Sequence, residues 1–203
     1  MVASPKNSDT DILWNSFING DDKAFVTIYT TIIELLLSYG KKLTADRELL
    51  HDAIQEIFMD IYQKRGKQHI TIDNLKAYLF IALKNAILKK ILQNRVYDDE
   101  VGEDHHHNEF NIEYSFQDEL INREISEEKR LRLQQAIVTL SPGQKEIIYL
   151  KFEEELGYTE IARLMSITIE SARKQLYRAL LSLRQVLDNE SFLILFSILR
   201  KKM

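Results

Sequence analysis

The sequence has no cysteine, only 2 prolines, 6 glycines and a single tryptophan among its 203 residues. Without cysteine there can be no disulfide and no thiolate metal site, and the chain suits a reducing compartment. So few prolines and glycines disfavour an all-β chain, whose many turns depend on both. The opening MVASPKNSDTD lacks the apolar core of a signal peptide. The longest apolar run, SFLILFSIL at 191–199, is far too short to span a bilayer. A cytoplasmic protein without direct membrane insertion is therefore expected. Also missing are a glycine-rich phosphate loop, a nucleophile elbow and a two-histidine helix motif, so neither an enzyme nor a cofactor is expected. His105, His106 and His107 could meet a metal with Glu103 or Asp104. Adjacent histidines in an acidic stretch are usually unstructured, and no metal site is expected there.

What the chain does have is helical. Hydrophobic residues make up 45% of it, and Leu, Ile, Lys, Glu and Gln recur at helical spacing, which predicts an all-α fold. The formal net charge is −4, but the charge is segregated. Residues 98–128 hold 12 acids against Arg123 alone, whereas residues 74–96 hold Lys76, Lys84, Lys89, Lys90 and Arg95 with no acid. The acidic total thus describes a middle segment and does not argue against nucleic-acid binding elsewhere. That segment lacks a sustained apolar period, and its like charges repel. The organisation expected is a helical domain over 10–96, an acidic linker over 97–126, a second helical domain over 127–189 and an apolar and basic tail over 190–203.

In the first domain Asp21 is expected to cap a helix through Leu37, with Phe25, Ile28, Tyr29, Ile32 and Ile33 inward. Asp46 should cap a second helix to about Gln63, burying Leu50, Ala53, Ile54, Ile57, Phe58 and Ile61. Asp52, Gln55, Glu56, Met59 and Gln63 fall on another face of that helix. Residues 64–73 break the period and read as a loop, after which Asp73 should cap a long helix to about Leu92.

In the second domain Ser141, Pro142 and Gln144 form a helix start with a capping box. Thr159 is expected to cap the short helix EIARLM, and Thr168 the next helix. There Ala172, Leu176, Ala179, Leu180, Leu183 and Leu187 make an apolar stripe. Ser171, Lys174, Gln175, Arg178 and Ser182 follow i, i+3, i+4, i+7, i+11 on the far side, flanked by Arg173 and Tyr177. A short helix, a four-residue turn and a helix with a basic stripe form the pattern of a helix-turn-helix that enters the major groove. Arg and Lys can donate to guanine edges or phosphates, and Gln can pair with adenine. An ordinary αα-hairpin with a solvated polar face would show a similar pattern.

Taken together, DAIQEIFMDIY (52–62), LKAYLFIALKNAI (75–87) and LSPGQKEIIYLKFEEELGYTEIARLMSITIESARKQLYRALLSLRQVL (140–187) resemble bacterial sigma factors of the sigma-70 family. The closest type is the compact, two-domain extracytoplasmic-function class. The resemblance implies a factor that binds bacterial core RNA polymerase and directs transcription initiation at specific promoters. It implies that Asp52, Gln55, Glu56 and Met59 meet the clamp helices of the β′ subunit. Lys76, Tyr78, Lys84, Asn85, Lys89 and Lys90 would hold the melted minus-ten element. Ser171, Arg173, Lys174, Gln175 and Arg178 would read the minus-thirty-five element near the β flap. The linker would follow the path of sigma linkers into the polymerase channels. The resemblance also admits a membrane-bound anti-sigma factor as a partner, with the tail either covering the second domain or docking onto that factor or the polymerase.

Two positions depart from the family pattern. Lys89 stands where Asp or Asn is common, which alters the chemistry expected at the minus-ten element. Ser166 replaces a frequent glycine, so the turn either avoids left-handed geometry or is strained. Two other readings use fewer of these motifs. A stand-alone helix-turn-helix regulator would bind duplex DNA by itself, and a helical adaptor would bind proteins only.

Overall fold

The computed structural model describes residues 7–65, 74–97 and 126–200, and the regular elements among them are all helical. The chain divides into two compact units, Met1–Asn108 and Glu109–Met203.

The first unit contains α1 (Asn7–Ile18), α2 (Asp22–Leu43), α3 (Arg47–Lys64) and α4 (Leu75–Tyr97). Gly20 takes φ 115° in the turn between α1 and α2, a conformation that glycine adopts without a steric penalty. The Asp21 carboxylate then caps α2 by accepting from the Lys23 backbone N–H at 2.9 Å. The helix runs past the expected Leu37 because Tyr39, Gly40 and Leu43 continue its buried stripe. Tyr39 stacks on Phe80 of α4 with centroids 4.8 Å apart. Tyr29, expected inward, is 41% exposed and meets Phe58 of α3 edge-on. Its ring covers the seam between the two helices instead of entering the core. Asp46 caps α3 as expected, through the Leu49 N–H at 3.0 Å, and all six expected inward residues of α3 are buried.

Asn74 caps α4, its side-chain oxygen accepting from the Ala77 N–H at 3.0 Å. The expected cap Asp73 and most of the expected loop lie outside the described residues. α4 extends beyond Leu92 to Tyr97. α1 packs against α2 and α4, and α3 packs against the same two helices. Trp14, Phe17, Ile32, Leu36, Leu79 and Leu83 fill the resulting core.

The second unit contains α5 (Glu127–Val138), α6 (Pro142–Ile148), a π-helical turn (Tyr149–Glu153), α7 (Tyr158–Leu164), α8 (Ile169–Val186) and α9 (Asn189–Arg200). The capping box on α6 forms in both directions. Gln144 N–H donates to Ser141 Oγ at 3.3 Å, and Ser141 N–H donates to Gln144 Oε1 at 2.9 Å. The helix after it is not regular to its end. It widens into the π turn, which the apolar period did not reveal. The chain then reverses at Glu155, with φ 54°, and Leu156 N–H returns to Leu150 O at 3.0 Å.

Gly157, not Thr159, is the N-cap of α7, and it supplies no side-chain bond. Thr159 is exposed, inside the helix. At the other end of α7, Ser166 takes φ 55°. Ile167 N–H reaches Ala162 O at 2.9 Å and Ser166 N–H reaches Arg163 O at 3.2 Å. This paired closure stops a helix with one left-handed residue, so the turn takes the strained of the two expected forms. Thr168 caps α8 as expected, accepting from the Ser171 N–H at 3.1 Å. Ala172, Leu176, Ala179, Leu183 and Leu187 are buried, while Leu180 is only half-buried at the edge of the stripe.

α9 covers this unit, packing on α5, α8 and the π turn. Leu195 is buried, and Phe196 meets Phe152 of the π turn at 4.8 Å. The Asp188 carboxylate begins α9 by accepting from the Ser191 N–H at 2.7 Å, and that bond holds its pKa below the ordinary Asp value. Among the described residues, no helix is long and apolar enough to cross a membrane.

Candidate nucleic-acid and partner interfaces

The turn fixed by Ser166 and the cap at Thr168 present the first two turns of α8 to solvent. Ser171 is exposed, but its Oγ accepts from the Thr168 hydroxyl at 2.8 Å, so it also serves the cap. Arg173 is exposed, with its guanidinium carbon 5.4 Å from the centroid of Tyr158. Lys174 is exposed and pairs one turn back with Glu170 at 2.6 Å. Such an exposed pair is weak, about 0.2–1 kcal/mol, and a phosphate or a base edge can displace it. Arg178 is exposed one turn further on. Gln175 differs from its neighbours. It is half-buried, and its amide lies so close to Gly143 that a Cβ there would fall 2.5 Å from Nε2. The stripe therefore contains three outward cations, one cap serine and one glutamine leaning on α6.

On α3 the polar face stands clear. Asp52, Gln55, Glu56 and Met59 are all exposed, and Met59 is 53% exposed although it is apolar. Beside it runs a groove of about 580 Å³ between α2 and α3, lined by Phe25, Tyr29, His51, Phe58, Met59 and Tyr62. An apolar seam with a polar rim is suited to receiving a partner helix.

The six α4 residues do not form one surface. Tyr78, Asn85 and Lys89 follow i, i+7, i+11 and share a face, with Tyr78 and Lys89 half-buried or exposed beside the exposed Asn85. Lys76 lies with its ammonium 5.8 Å from the Phe80 ring. Lys84 is half-buried. Lys90 pairs with Glu56 of α3 at 3.2 Å, joining two residues that were assigned to different partners. Nothing local in the sequence signals that long-range pair.

Two further residues escaped the sequence reading. Lys151, in the π turn, and Tyr158, at the start of α7, meet with the ammonium 5.0 Å from the ring centroid. Neither lies on the α8 stripe, and only the π turn brings Lys151 there. Among the described residues no group of three His, Cys, Asp or Glu side chains could hold a metal. His105–His107 and linker residues 98–125 lie outside the described residues.

Comparison with known proteins shows the same division. The family description "Sigma-70 region 2" matches residues 28–96, and "Sigma-70, region 4" matches residues 130–183. No individually curated protein matches the chain. Among solved structures, the fold is similar to the sigma factor RpoE of Bartonella quintana, solved in complex with the anti-sigma factor NepR. The identity is 19% and the TM-score 0.52, over 81% of this chain and 96% of that one.

Proposed function

This chain belongs to the sigma-70 family, in the compact two-domain form of its extracytoplasmic-function class, and from that membership we propose how its surfaces divide the work. It is a sigma factor: it binds core RNA polymerase and promoter DNA and directs transcription initiation. The domain carrying region 2 spans 10–96 and the one carrying region 4 spans 127–189, with 97–126 as the linker between them. The exposed face of Asp52, Gln55, Glu56 and Met59 takes the β′ clamp helices. Tyr78, Asn85 and Lys89 form the face of α4 that holds the melted minus-ten strand, with Lys76, Lys84 and Lys90 beside it. Stacking on an aromatic is worth about 1–3 kcal/mol per base, which suits a half-buried tyrosine flanked by an amide and a cation.

Ser171, Arg173, Lys174, Gln175 and Arg178 meet the minus-thirty-five duplex. The observation that carries this reading is the exposure of Arg173, Lys174 and Arg178 on the first turns of a helix-turn-helix. Polymerase supplies the chemistry, so the chain itself is not an enzyme and acts in the cytoplasm. An anti-sigma factor is the regulatory partner, by analogy with the complex of its structural neighbour.

Two triple variants test the division. Changing Arg173, Lys174 and Arg178 to Ala should abolish promoter-specific transcripts while the protein still co-elutes with core polymerase. Changing Asp52, Gln55 and Glu56 to Ala should do the reverse. Specific duplex binding by the free protein without any affinity for a cognate core would overturn the assignment.

A further inference from the structure

Three elements converge on one aromatic ring in the second unit. Tyr158 opens α7, and Lys151 reaches it from the π turn with its ammonium 5.0 Å from the centroid. Arg173 reaches it from the second turn of α8 at 5.4 Å. Lys151 is fixed further, since its ammonium donates to Leu156 O at 3.2 Å. Neither cation is paired with a carboxylate among the described residues, unlike neighbouring Lys174. The nearby acid Glu160 is folded back on Gly157. Two positive charges on one ring lie within about 10 Å of each other, and an anion between them relieves their repulsion.

We infer that Tyr158 is a positioning residue whose ring sets Lys151 and Arg173 as a clamp for one phosphodiester of the duplex backbone. The inference rests on the assignment of α8 to duplex DNA and adds two residues to it. It also gives Arg173 a specific task. A guanidinium held against Tyr158 grips the backbone and fixes register, while Lys174 and Arg178 face the base edges. The ring, not the hydroxyl, does the positioning, because a cation is attracted to the face of the π-system.

The test uses holoenzyme assembled from the full chain and core polymerase. Its affinity is measured for a labelled promoter duplex and for the same duplex with the minus-thirty-five element scrambled. Tyr158→Leu keeps apolar bulk but removes the ring, and should weaken both duplexes by a similar factor of roughly three to ten. Tyr158→Phe should bind as the natural chain does. In a Lys151→Ala, Arg173→Ala background, Tyr158→Leu should cost nothing more. That background itself should lower the slope of log affinity against log salt by about one, since a single phosphate contact is lost. An additive loss in that background, or Tyr158→Phe as weak as Tyr158→Leu, overturns the clamp. If changing Arg173, Lys174 and Arg178 to Ala together leaves duplex affinity intact, the duplex assignment itself has failed. If that triple variant is defective while the Tyr158 effects are additive, only the clamp has failed.

Discussion

At the residue scale, Ser166 and Gly40 show backbone and packing demands of opposite kinds. A left-handed residue with a Cβ costs about 1–2 kcal/mol, whereas glycine gives back about 0.4–1 kcal/mol through its freer unfolded chain. Ser166→Gly should therefore raise stability by a few tenths to about 1 kcal/mol in urea unfolding. Gly40 is buried in α2, and a Cβ there would fall 2.2 Å from Leu50 Cδ1, itself in the core. Alanine gains about 1 kcal/mol of helix propensity but overpacks the site at about 1–3 kcal/mol. Gly40→Ala should thus destabilise by up to about 2 kcal/mol; a gain would mean that Leu50 moves freely. The sequence marked 166 as a turn but left its handedness open, because that depends on how α7 ends. It pointed to no role for Gly40, because the crowding comes from another helix.

At the element scale, four of the caps with a side-chain oxygen were readable, while Asn74, Ser126 and Asp188 were not picked out. Asp21, Asp46, Ser141 and Thr168 each announce a helix chemically. Gly157 offers no such signal, and Thr159 nearby misled. Ser141→Ala breaks the capping box and should cost about 1 kcal/mol by thermal unfolding. α9 carries a pH dependence through Asp188. Its pKa is lower in the folded chain than in the unfolded one, so its contribution is complete above the unfolded value. The contribution is lost as pH falls through the folded value. Asp188→Asn keeps an oxygen acceptor for the Ser191 N–H and should flatten this acid-side loss in unfolding curves recorded between about pH 5 and 2. An unchanged acid limb would show that other carboxylates dominate.

At the scale of the whole molecule, the family was legible through its motifs, which stand in the right order on successive helices. What stayed hidden was how those residues engage one another: Glu56 with Lys90, Gln175 with Gly143, Lys151 with Tyr158. Each pair joins separate elements, and helical periodicity is blind to such contacts. Charge segregation also carries a global consequence. Changing Asp98, Asp99, Glu100, Glu103 and Asp104 to amides takes the formal charge from −4 to +1. Free-protein affinity for duplex DNA should then rise several-fold at low salt, with the gain shrinking well above 0.1 M as the Debye length falls below about 10 Å. No gain at low salt would show that the acids do not reach the field at the helices proposed to face DNA.

The π turn between α6 and α7 works as a count of residues. A π turn is an α-helix holding one residue too many, and each residue of an α-helix rotates the chain beyond it by about 100°. Shortening Tyr149–Glu153 by one position would tend to restore an ordinary helix and swing Lys151 away from Tyr158. Insertions and deletions are usually tolerated near a surface loop. Here a single missing residue would turn the helices proposed to meet DNA relative to α6, although every residue of α8 keeps its identity.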